Sequence, residues 1–329
     1  MAQYSRRFEI LQSSGSSYEP SGAYTYGIYD VETTTEATNV IRAADYYGND
    51  FLMSDVLQMW VDGVEVAPSR TYQFATTGRH VVEFNIPTIS SLAGMWYDCD
   101  RLVEVYYQNS TFTASNGYQC YRVFSGCDSI LKADFTNCDL SALTEVRELF
   151  GGGGPMFDMR NLIGFGNQLG NCTAQQDLIS GAYNTQYRDN PLSEMVLNGW
   201  VFGPGPSTYD GINYADAEIF AYCCLEGTLD LRTCDLSNIL LLNMMFVGSI
   251  QGAYGGIDKL YMGGPLNSNV TVYTDQWGSI WGKQSSTYFQ WWLNWKGTFY
   301  YDGNYYDDYA KILEHLPEDW TARDWRTEE

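Results

Sequence analysis

The stretch Phe124–Gly152, FSGCDSILKADFTNCDLSALTEVRELFGG, returns 96 residues later as Phe220–Gly248, FAYCCLEGTLDLRTCDLSNILLLNMMFVG. Nine of the 29 aligned positions carry the same residue, whereas ordinary composition would give about two. The identical pairs are Phe124/Phe220, Cys127/Cys223, Asp134/Asp230, Cys138/Cys234, Asp139/Asp235, Leu140/Leu236, Ser141/Ser237, Phe150/Phe246 and Gly152/Gly248. Such a repeat indicates an array of similar units, each too small to bury its apolar side alone.

A shorter period lies within the long one. Trp96, Phe124 and Phe150 are 28 and 26 residues apart, and Met95–Leu102 (MWYDCDRL) parallels Val123–Ile130 (VFSGCDSI). A period of 20–29 residues with one short apolar strand per unit is typical of leucine-rich repeats. The 96-residue shift then corresponds to about four units, and the two middle ones have drifted from the pattern.

The residues of the matched units resemble a known family. Phe-x-x-Cys, then Asp-apolar-x-x-Cys-Asp-Leu-Ser and a closing Leu-Phe or Met-Phe, is similar to the BspA-like leucine-rich repeats. These occur in surface proteins of gut and oral bacteria and in proteins of their tailed phages. Such proteins often place a small β domain before the repeats and end in a Gly-Thr strand and a helix. Residues 60–84 and 297–320 resemble these two ends, so the resemblance covers roughly residues 60–320.

The predicted fold is β-rich. Residues 1–85 alternate apolar and polar positions, which favours a small antiparallel β-sandwich, and Asp62-Gly63 suits a two-residue hairpin turn. Residues 86–300 are predicted to form a diverged leucine-rich-repeat solenoid, and residues 301–329 a capping helix and tail. Five apolar residues support the helix by their spacing: Tyr305, Tyr309, Ile312, Leu313 and Leu316.

The cysteines that recur in the repeat are predicted to be core residues rather than disulfide partners, so Cys127, Cys138, Cys223 and Cys234 should be reduced and buried. None of the eight cysteines lies in a Cys-x-x-Cys pair, and only two histidines could join them, so neither a zinc site nor any other metal or cofactor is expected. Several instead occupy matching positions of the repeat, where a buried thiol acts as a small apolar group. The predicted repeat core consists of Phe124, Cys127, Cys138, Leu140, Phe150, Phe220, Cys223, Cys234, Leu236 and Phe246.

The charge balance narrows the choice of partners. Forty acidic residues against 18 basic ones give a formal charge of −22, which disfavours nucleic acid and anionic membranes. No apolar stretch approaches the roughly 20 residues of a spanning helix, and Arg6-Arg7 is not followed by the apolar run of a secretory signal. Asp302, Asp307 and Asp308 suggest a weak calcium site or, because their spacing is irregular, a solvated turn.

Catalytic chemistry finds little support in the sequence. His80 lies in an alternating strand and His315 on the predicted helix, and both are expected to be structural or exposed residues. Two histidines offer no persuasive Ser-His-Asp or Cys-His arrangement. The glycines of 164–170 miss the dinucleotide-binding spacing. The chain is therefore predicted to be non-enzymatic.

An aromatic block near the C-terminus is the candidate binding face. Its predicted contact residues are Trp281, Trp291, Trp292 and Trp295. Exposed rings can stack on sugars or anchor a protein partner, but these rings can equally pack the last units. Adjacent residues of a strand point to opposite faces, so Trp291 and Trp292 would divide between core and surface.

The resemblance, together with the missing signal, favours a phage virion structural protein: a tail, fibre or capsid-decorating component. Its expected partners are other virion proteins or a host-surface glycan or protein, in a homo-oligomer or a larger assembly. The N-terminal β domain is then the expected attachment module. A bacterial cell-surface adhesin is the first alternative, and a carbohydrate-active enzyme is the second.

Overall fold

The computed structural model describes residues 16–42, 51–113, 119–150, 158–172, 174–176, 192–204, 225–242, 257–272, 293–316 and 319–327. Most of their regular structure is β-strand, which confirms the β-rich prediction. Within these ranges there is one α-helix, Tyr306–Leu313. The same ranges contain no helix long and apolar enough to cross a membrane.

The first eight strands lie before residue 113. They are β1 (Thr25–Val31), β2 (Thr38–Asn39), β3 (Gln58–Val61), β4 (Val64–Val66), β5 (Thr71–Tyr72), β6 (Gly78–Asn85), β7 (Thr88–Ile89) and β8 (Leu102–Phe112). The remaining strands are β9 (Lys132–Asp139), β10 (Glu145–Arg147), β11 (Leu162–Ile163), β12 (Ala174–Gln176), β13 (Leu192–Val196), β14 (Leu225–Leu231), β15 (Leu241–Leu242), β16 (Ile257–Met262), β17 (Thr271–Val272), β18 (Leu293–Tyr301) and β19 (Trp320–Asp324). Short 3-10 helices span Met53–Asp55, Met159–Asn161, Gly166–Asn171, Gly303–Tyr305 and Trp325–Thr327.

The first sheet changes from antiparallel to parallel pairing at β8. Its strand order is β11-β9-β8-β1-β6-β3-β4, with β7 beside β8. Pairing is antiparallel from β4 to β8 and parallel from β8 to β11. The hairpin between β3 and β4 turns at Asp62 and Gly63, whose φ angles of 48° and 79° confirm the predicted two-residue turn.

The second sheet is parallel throughout, in the order β13-β14-β16-β18-β19. Its inward positions are in register, with Leu229 beside Leu260 and Leu260 beside Phe299. Parallel neighbours require the chain to return to the same edge after each strand. Two further parallel pairs, β10 with β12 and β15 with β17, form separately from the two main sheets.

Turns stack on turns in the same repeating manner. The Trp96 amide donates to the Val123 carbonyl at 3.0 Å, and the Phe124 amide donates to the Leu149 carbonyl at 3.0 Å. The rings of Phe124 and Phe150 lie 5.5 Å apart. The spacing of about 27 residues in the sequence therefore corresponds to successive hydrogen-bonded turns.

An aromatic spine runs through the core of the first half; we define it as Trp96, Tyr107, Phe135, Phe165 and Trp200. Successive ring centroids are 6.4, 4.1, 5.0 and 6.1 Å apart. All five side chains are buried. The Trp96 indole N–H donates to the Tyr107 hydroxyl at 2.7 Å, which satisfies both polar groups in an apolar interior.

The spine joins the end of the first sheet to the second. A Cβ on Gly166 would lie 2.1 Å from the Trp200 ring, so this position requires glycine. The Val201 amide donates to the Gly166 carbonyl at 3.0 Å, and the Phe202 amide donates to the Asp235 carbonyl at 3.0 Å. The two matched segments of the sequence are therefore connected through one continuous core.

Leucines occupy the inward side of β14 and β16, and Phe299 takes the equivalent position on β18. Leu229, Leu260 and Phe299 are fully buried on the inward side of the sheet. The helix packs Tyr309 against Phe299, with ring centroids 5.9 Å apart. The Tyr309 hydroxyl donates to the Gly264 carbonyl at 3.0 Å. Ile312, one turn further along the helix, is also buried.

Candidate functional site

The structure places seven of the predicted repeat-core residues in the interior. Buried are Phe124, Cys127, Cys138, Leu140, Phe150, Cys234 and Leu236. The other three, Phe220, Cys223 and Phe246, lie outside the described residues. The buried members belong to both matched segments, so each segment contributes equivalent side chains to the core.

Cysteine thiols tie neighbouring units together. Sγ of Cys127 donates to the Trp96 carbonyl at 2.9 Å, and Sγ of Cys234 donates to the Leu197 carbonyl at 3.3 Å. Burial raises the pKa of Cys234 to about 12, which keeps the thiol protonated and able to donate. Six described cysteines carry thiols without a disulfide: Cys99, Cys120, Cys127, Cys138, Cys172 and Cys234.

The repeated Cys-Asp-Leu-Ser motif forms the same turn twice. Oδ1 of Asp139 accepts from the Ser141 amide at 2.9 Å, and Oδ1 of Asp235 accepts from the Ser237 amide at 2.9 Å. An aspartate that bonds the amide two residues ahead stabilises such a turn locally. This geometry explains why the aspartate and serine recur without being buried.

Asparagines one unit further along the chain bind these turns. Nδ2 of Asn171 donates to the Ser141 carbonyl at 3.0 Å, and Nδ2 of Asn267 donates to the Ser237 carbonyl at 2.9 Å. The two asparagines are themselves 96 residues apart. The structural equivalence therefore extends beyond the segments that match in sequence.

A line of side chains lies on the side of the strands that faces away from the core. We call it the outward row. Strand register defines its members as Tyr26, Tyr106, Asp134 and Ile163 on the first sheet, and Val196, Asp230, Tyr261, Tyr300 and Arg323 on the second. Ile163, at the end of the first sheet, is 38% exposed. Asp134 and Asp230 are identical positions of the repeat. The row is the candidate interaction surface.

Aromatic rings and a cation stack on the first sheet; we call Tyr26, Tyr106 and Lys132 the N-terminal stack. The two rings lie 4.7 Å apart at an interplanar angle of 16°, and Nζ of Lys132 lies 4.5 Å from the Tyr106 centroid. Lys132 also contacts the Asp134 carboxylate at 3.7 Å. Burial and the hydrogen bond to Glu104 raise the pKa of Tyr106, so its hydroxyl stays protonated.

A similar but tighter arrangement lies on the second sheet; we call Arg232, Tyr261 and Tyr300 the C-terminal stack. The two rings lie 4.2 Å apart and nearly parallel, and Cζ of Arg232 lies 4.7 Å from the Tyr261 centroid. Asp230 holds the guanidinium through contacts at 3.0 Å to Nε and 2.5 Å to Nη2. These bonds raise the pKa of Arg232. The Trp325 ring lies on the same guanidinium at 6.0 Å.

The stacks present edges rather than faces. Arg232 covers one face of Tyr261 and Tyr300 covers the other. Both faces of the Tyr261 ring are therefore covered, and Thr298 and Thr321, whose hydroxyls lie 3.4 Å apart, are on the same side of the sheet. Such a surface suits hydrogen-bonded contact with a protein or glycan more than flat stacking on a sugar ring.

The predicted tryptophan face is not among the described residues. Trp281, Trp291 and Trp292 lie outside them, and Trp295 is described only through the backbone of β18. Sequence inspection did not single out the outward row. The available signal was the alternation Leu229-Asp230-Leu231-Arg232, which places a carboxylate and a cation together on the side of the strand opposite to the leucines.

His80 is buried among polar partners. Nδ1 lies 2.7 Å from Oδ2 of Asp62, and Nε2 lies 2.9 Å from the Thr76 carbonyl oxygen and 3.3 Å from its hydroxyl. The residue types resemble an Asp-His-Thr triad. A catalytic histidine, however, needs Nε2 to accept the nucleophile's proton, whereas the nearest partner here is a carbonyl that can only accept.

Two carboxylates of the acidic cluster near the C-terminus, Asp302 and Asp308, are bound by other groups of the protein. Asp302 accepts from the Asn304 amide at 2.9 Å and contacts Nε of Arg326 at 3.2 Å. Oδ2 of Asp308 accepts from the Leu266 amide at 3.2 Å. In the part of the chain that the structure describes, no three metal-binding side chains come together.

Comparison with protein-family models, with curated proteins and with solved structures finds no match.

Proposed function

We propose that this chain is a non-enzymatic structural and binding protein, built as a leucine-rich-repeat solenoid behind a small β domain. The observation that carries the proposal is the equivalence of the two matched segments. Each provides a buried cysteine, an Asp-Leu-Ser turn and a bond from an asparagine one unit ahead. Stacked units of this kind bury their apolar sides against one another and expose a long lateral surface.

The N-terminal unit is proposed to be a two-layered sandwich that serves for attachment. The pair β2–β5 forms a separate two-stranded sheet, and the Tyr29 hydroxyl of β1 donates to the carbonyl of Val40, which follows β2. The rings of Tyr29 and Phe74 lie 6.5 Å apart. The first sheet continues into the parallel strands, so an attached N-terminal unit would hold the outward row in a fixed orientation.

The proposed location is a bacteriophage virion, as a tail, fibre or capsid-decorating component. The resemblance of the repeats to BspA-like proteins supports this location, and the formal charge of −22 fits a solubilised, externally exposed surface. Mass spectrometry of particles purified from a host that carries the gene tests it. Detection at a stoichiometry comparable to other structural proteins is expected, and absence from the particles would overturn the virion assignment.

Binding through the outward row is tested with a matched pair of exposed threonines. Thr321 on β19 lies beside the row, whereas Thr271 on β17 belongs to a separate strand pair. Thr321→Arg introduces a long cation beside the C-terminal stack and is expected to weaken binding to host cells or purified particles. Thr271→Arg introduces the same group elsewhere and should leave binding unchanged. Equal binding by both variants would place the contact surface elsewhere.

Carbohydrate-active chemistry is the alternative that binding experiments cannot separate from adhesion. Incubating the purified protein with host glycans and analysing released sugars distinguishes the two. We expect intact glycans, because the proposed role of the chain is binding without chemistry. Time-dependent release of products would contradict the non-enzymatic assignment.

A further inference from the structure

His80 is held in the first sheet by one hydrogen-bond acceptor at each ring nitrogen. Its side chain is almost fully buried, with the residue 4% exposed. The Asp62 carboxylate lies 2.7 Å from Nδ1 and the Thr76 carbonyl 2.9 Å from Nε2. An ionised carboxylate and a carbonyl can only accept. Both contacts are therefore hydrogen bonds only when both nitrogens carry protons, that is, when the ring is a cation.

The surroundings of the ring contain a single charged contact among the described residues. The Phe74 ring lies 4.5 Å from the imidazole, and Tyr29 is the strand neighbour of His80 on β1. The Tyr29 hydroxyl is engaged with the Val40 carbonyl. Arg79, the residue before His80 in β6, lies on the other side of the strand and donates to the Tyr18 carbonyl. Asp62 is thus the group whose charge responds to that of His80.

Asp62 connects the ring to the hairpin turn and to the chain segment 16–21, which we call the strap. Oδ1 of Asp62 accepts from the Val81 amide at 3.0 Å. The Ser16 side chain also helps to lower the pKa of Asp62. The Ser16 amide donates to the Arg79 carbonyl at 2.6 Å. A change in the charge of His80 therefore acts on a carboxylate that connects the hairpin turn, β6 and the strap.

Glu83 fixes the rest of the strap. Its carboxylate accepts from the Tyr18 hydroxyl at 2.5 Å and from the Ser21 amide at 2.9 Å. The Tyr18 ring lies against Gly63, where a Cβ would come within 2.6 Å of it. The strap and the hairpin turn are thus packed against each other as well as against the sheet.

We propose that His80 is a proton-dependent latch, which holds the hairpin turn and the strap on the sheet while the ring is a cation and loosens them when it is neutral. A neutral ring has one N–H for the two acceptors, so one of these two hydrogen bonds is lost. The proposal concerns the stability of the N-terminal unit and does not depend on the proposed binding function.

The direction of the pH dependence follows from both partners. Burial favours the neutral ring, but the bonds to Asp62 and Thr76 outweigh it and raise the pKa of His80 above 6.5. Burial likewise opposes ionisation of Asp62, yet the bonds from His80 and Val81 lower its pKa below 3.8. The histidine's contribution is complete below 6.5 and is lost as the pH rises through the pKa of the folded state. The aspartate's contribution is lost only in strong acid.

Urea unfolding of the full chain between about pH 5 and about pH 7.5 tests the latch in the range in which histidine titrates and below the pH at which the cysteine thiols of the unfolded chain ionise. The unfolding equilibrium constant of the wild-type protein should rise above pH 6.5, by up to about tenfold for each pKa unit that separates the folded and unfolded states. His315→Gln removes the exposed histidine and should retain this rise. His80→Gln should be less stable at pH 6 and should lack it. A rise that persists in His80→Gln would overturn the proposal.

Nitrogen-15 NMR of the His315→Gln protein gives a test that needs no variant at His80. The remaining imidazole should show both nitrogens protonated at about pH 6, with loss of one proton on alkalinisation. Amide hydrogen exchange at Ser16 and Ser21, corrected for the intrinsic pH dependence, should increase over the same interval. A ring that is already neutral at about pH 6, or strap amides that do not respond to its titration, would contradict the latch.

Discussion

Among the described residues, the closest ring pairs of the two halves lie on opposite sides of their strands. The first half stacks them inside, where the aromatic spine from Trp96 to Trp200 crosses successive units. The second half has aliphatic residues such as Leu229 and Leu260 inside, and its closest described ring pair, Tyr261 on Tyr300, lies on the opposite side of the strands. The same strand-to-strand alignment can therefore arise from rings packed in the core or from rings stacked on the other side of the sheet. The two arrangements should differ greatly in their contribution to the free energy of unfolding.

The aligned positions Phe135 and Leu231 offer the largest expected difference. Phe135 contacts Tyr107 and Phe165 within the spine, at 4.1 and 5.0 Å. Phe135→Ala should lower the free energy of unfolding by about 3–5 kcal/mol because it leaves a cavity between rings. Leu231→Ala should cost less, about 2–3 kcal/mol. Urea unfolding measures both, and an equal or larger loss for Leu231→Ala would break the comparison.

Glycine substitutions test the junction between the halves. Gly166→Ala would bring a methyl group to 2.1 Å from Trp200, and the resulting displacement of the ring should cost about 1–3 kcal/mol. Gly170→Ala is the matched control, because its Cβ would meet Val201 at an ordinary 3.4 Å. Thermal unfolding of the two variants should separate them by several degrees. Indistinguishable midpoints would show that Trp200 is not packed as described.

Cysteine substitutions measure the bond between units. Cys127 and Cys99 are both fully buried, but only the thiol of Cys127 donates to another unit, at 2.9 Å from the Trp96 carbonyl. The thiol of Cys99 is 3.9 Å from the nearby Tyr97 carbonyl. Cys127→Ala should therefore be less stable than Cys99→Ala by about 1 kcal/mol in urea unfolding. The reverse order would argue that the thiols act only by filling space.

The outward stacks should give the smallest effect. A double-mutant cycle of Arg232→Met and Tyr261→Leu should yield a coupling of about 0.5–1 kcal/mol, as expected for an exposed cation over a ring. The cycle of Lys132→Met and Tyr106→Leu should give a similar value. A coupling above about 2 kcal/mol would mean that the C-terminal stack is as important for stability as the spine.

The sequence was sufficient to predict the β-rich fold, because alternation and turn residues are local signals. The Asp62-Gly63 turn and the helix around Tyr309 could be predicted in the same way, from residues a few positions apart. The equivalence of Cys138 and Cys234 was visible because both units kept the same residues around them. Repetition converts a long-range property of the fold into a pattern that can be seen in one chain.

The features that sequence reasoning missed depend on strand register. Tyr261 and Tyr300 are 39 residues apart and share no motif, so only their pairing in β16 and β18 brings them together. Asp62 and His80 likewise meet through the pairing of β3 with β6. The drifted units also hid the spine, because Phe165 and Trp200 follow strands of different length and lie outside the matched segments.

The two matched segments should be equivalent units of one stacked core. An experimental structure of the full chain at side-chain resolution tests it most directly at residues 220–248. The account predicts that Phe220 and Phe246 are in ring contact, as Phe124 and Phe150 are at 5.5 Å, and that Cys223 is a buried thiol. Separated rings, or a disulfide between Cys223 and Cys234, would contradict it.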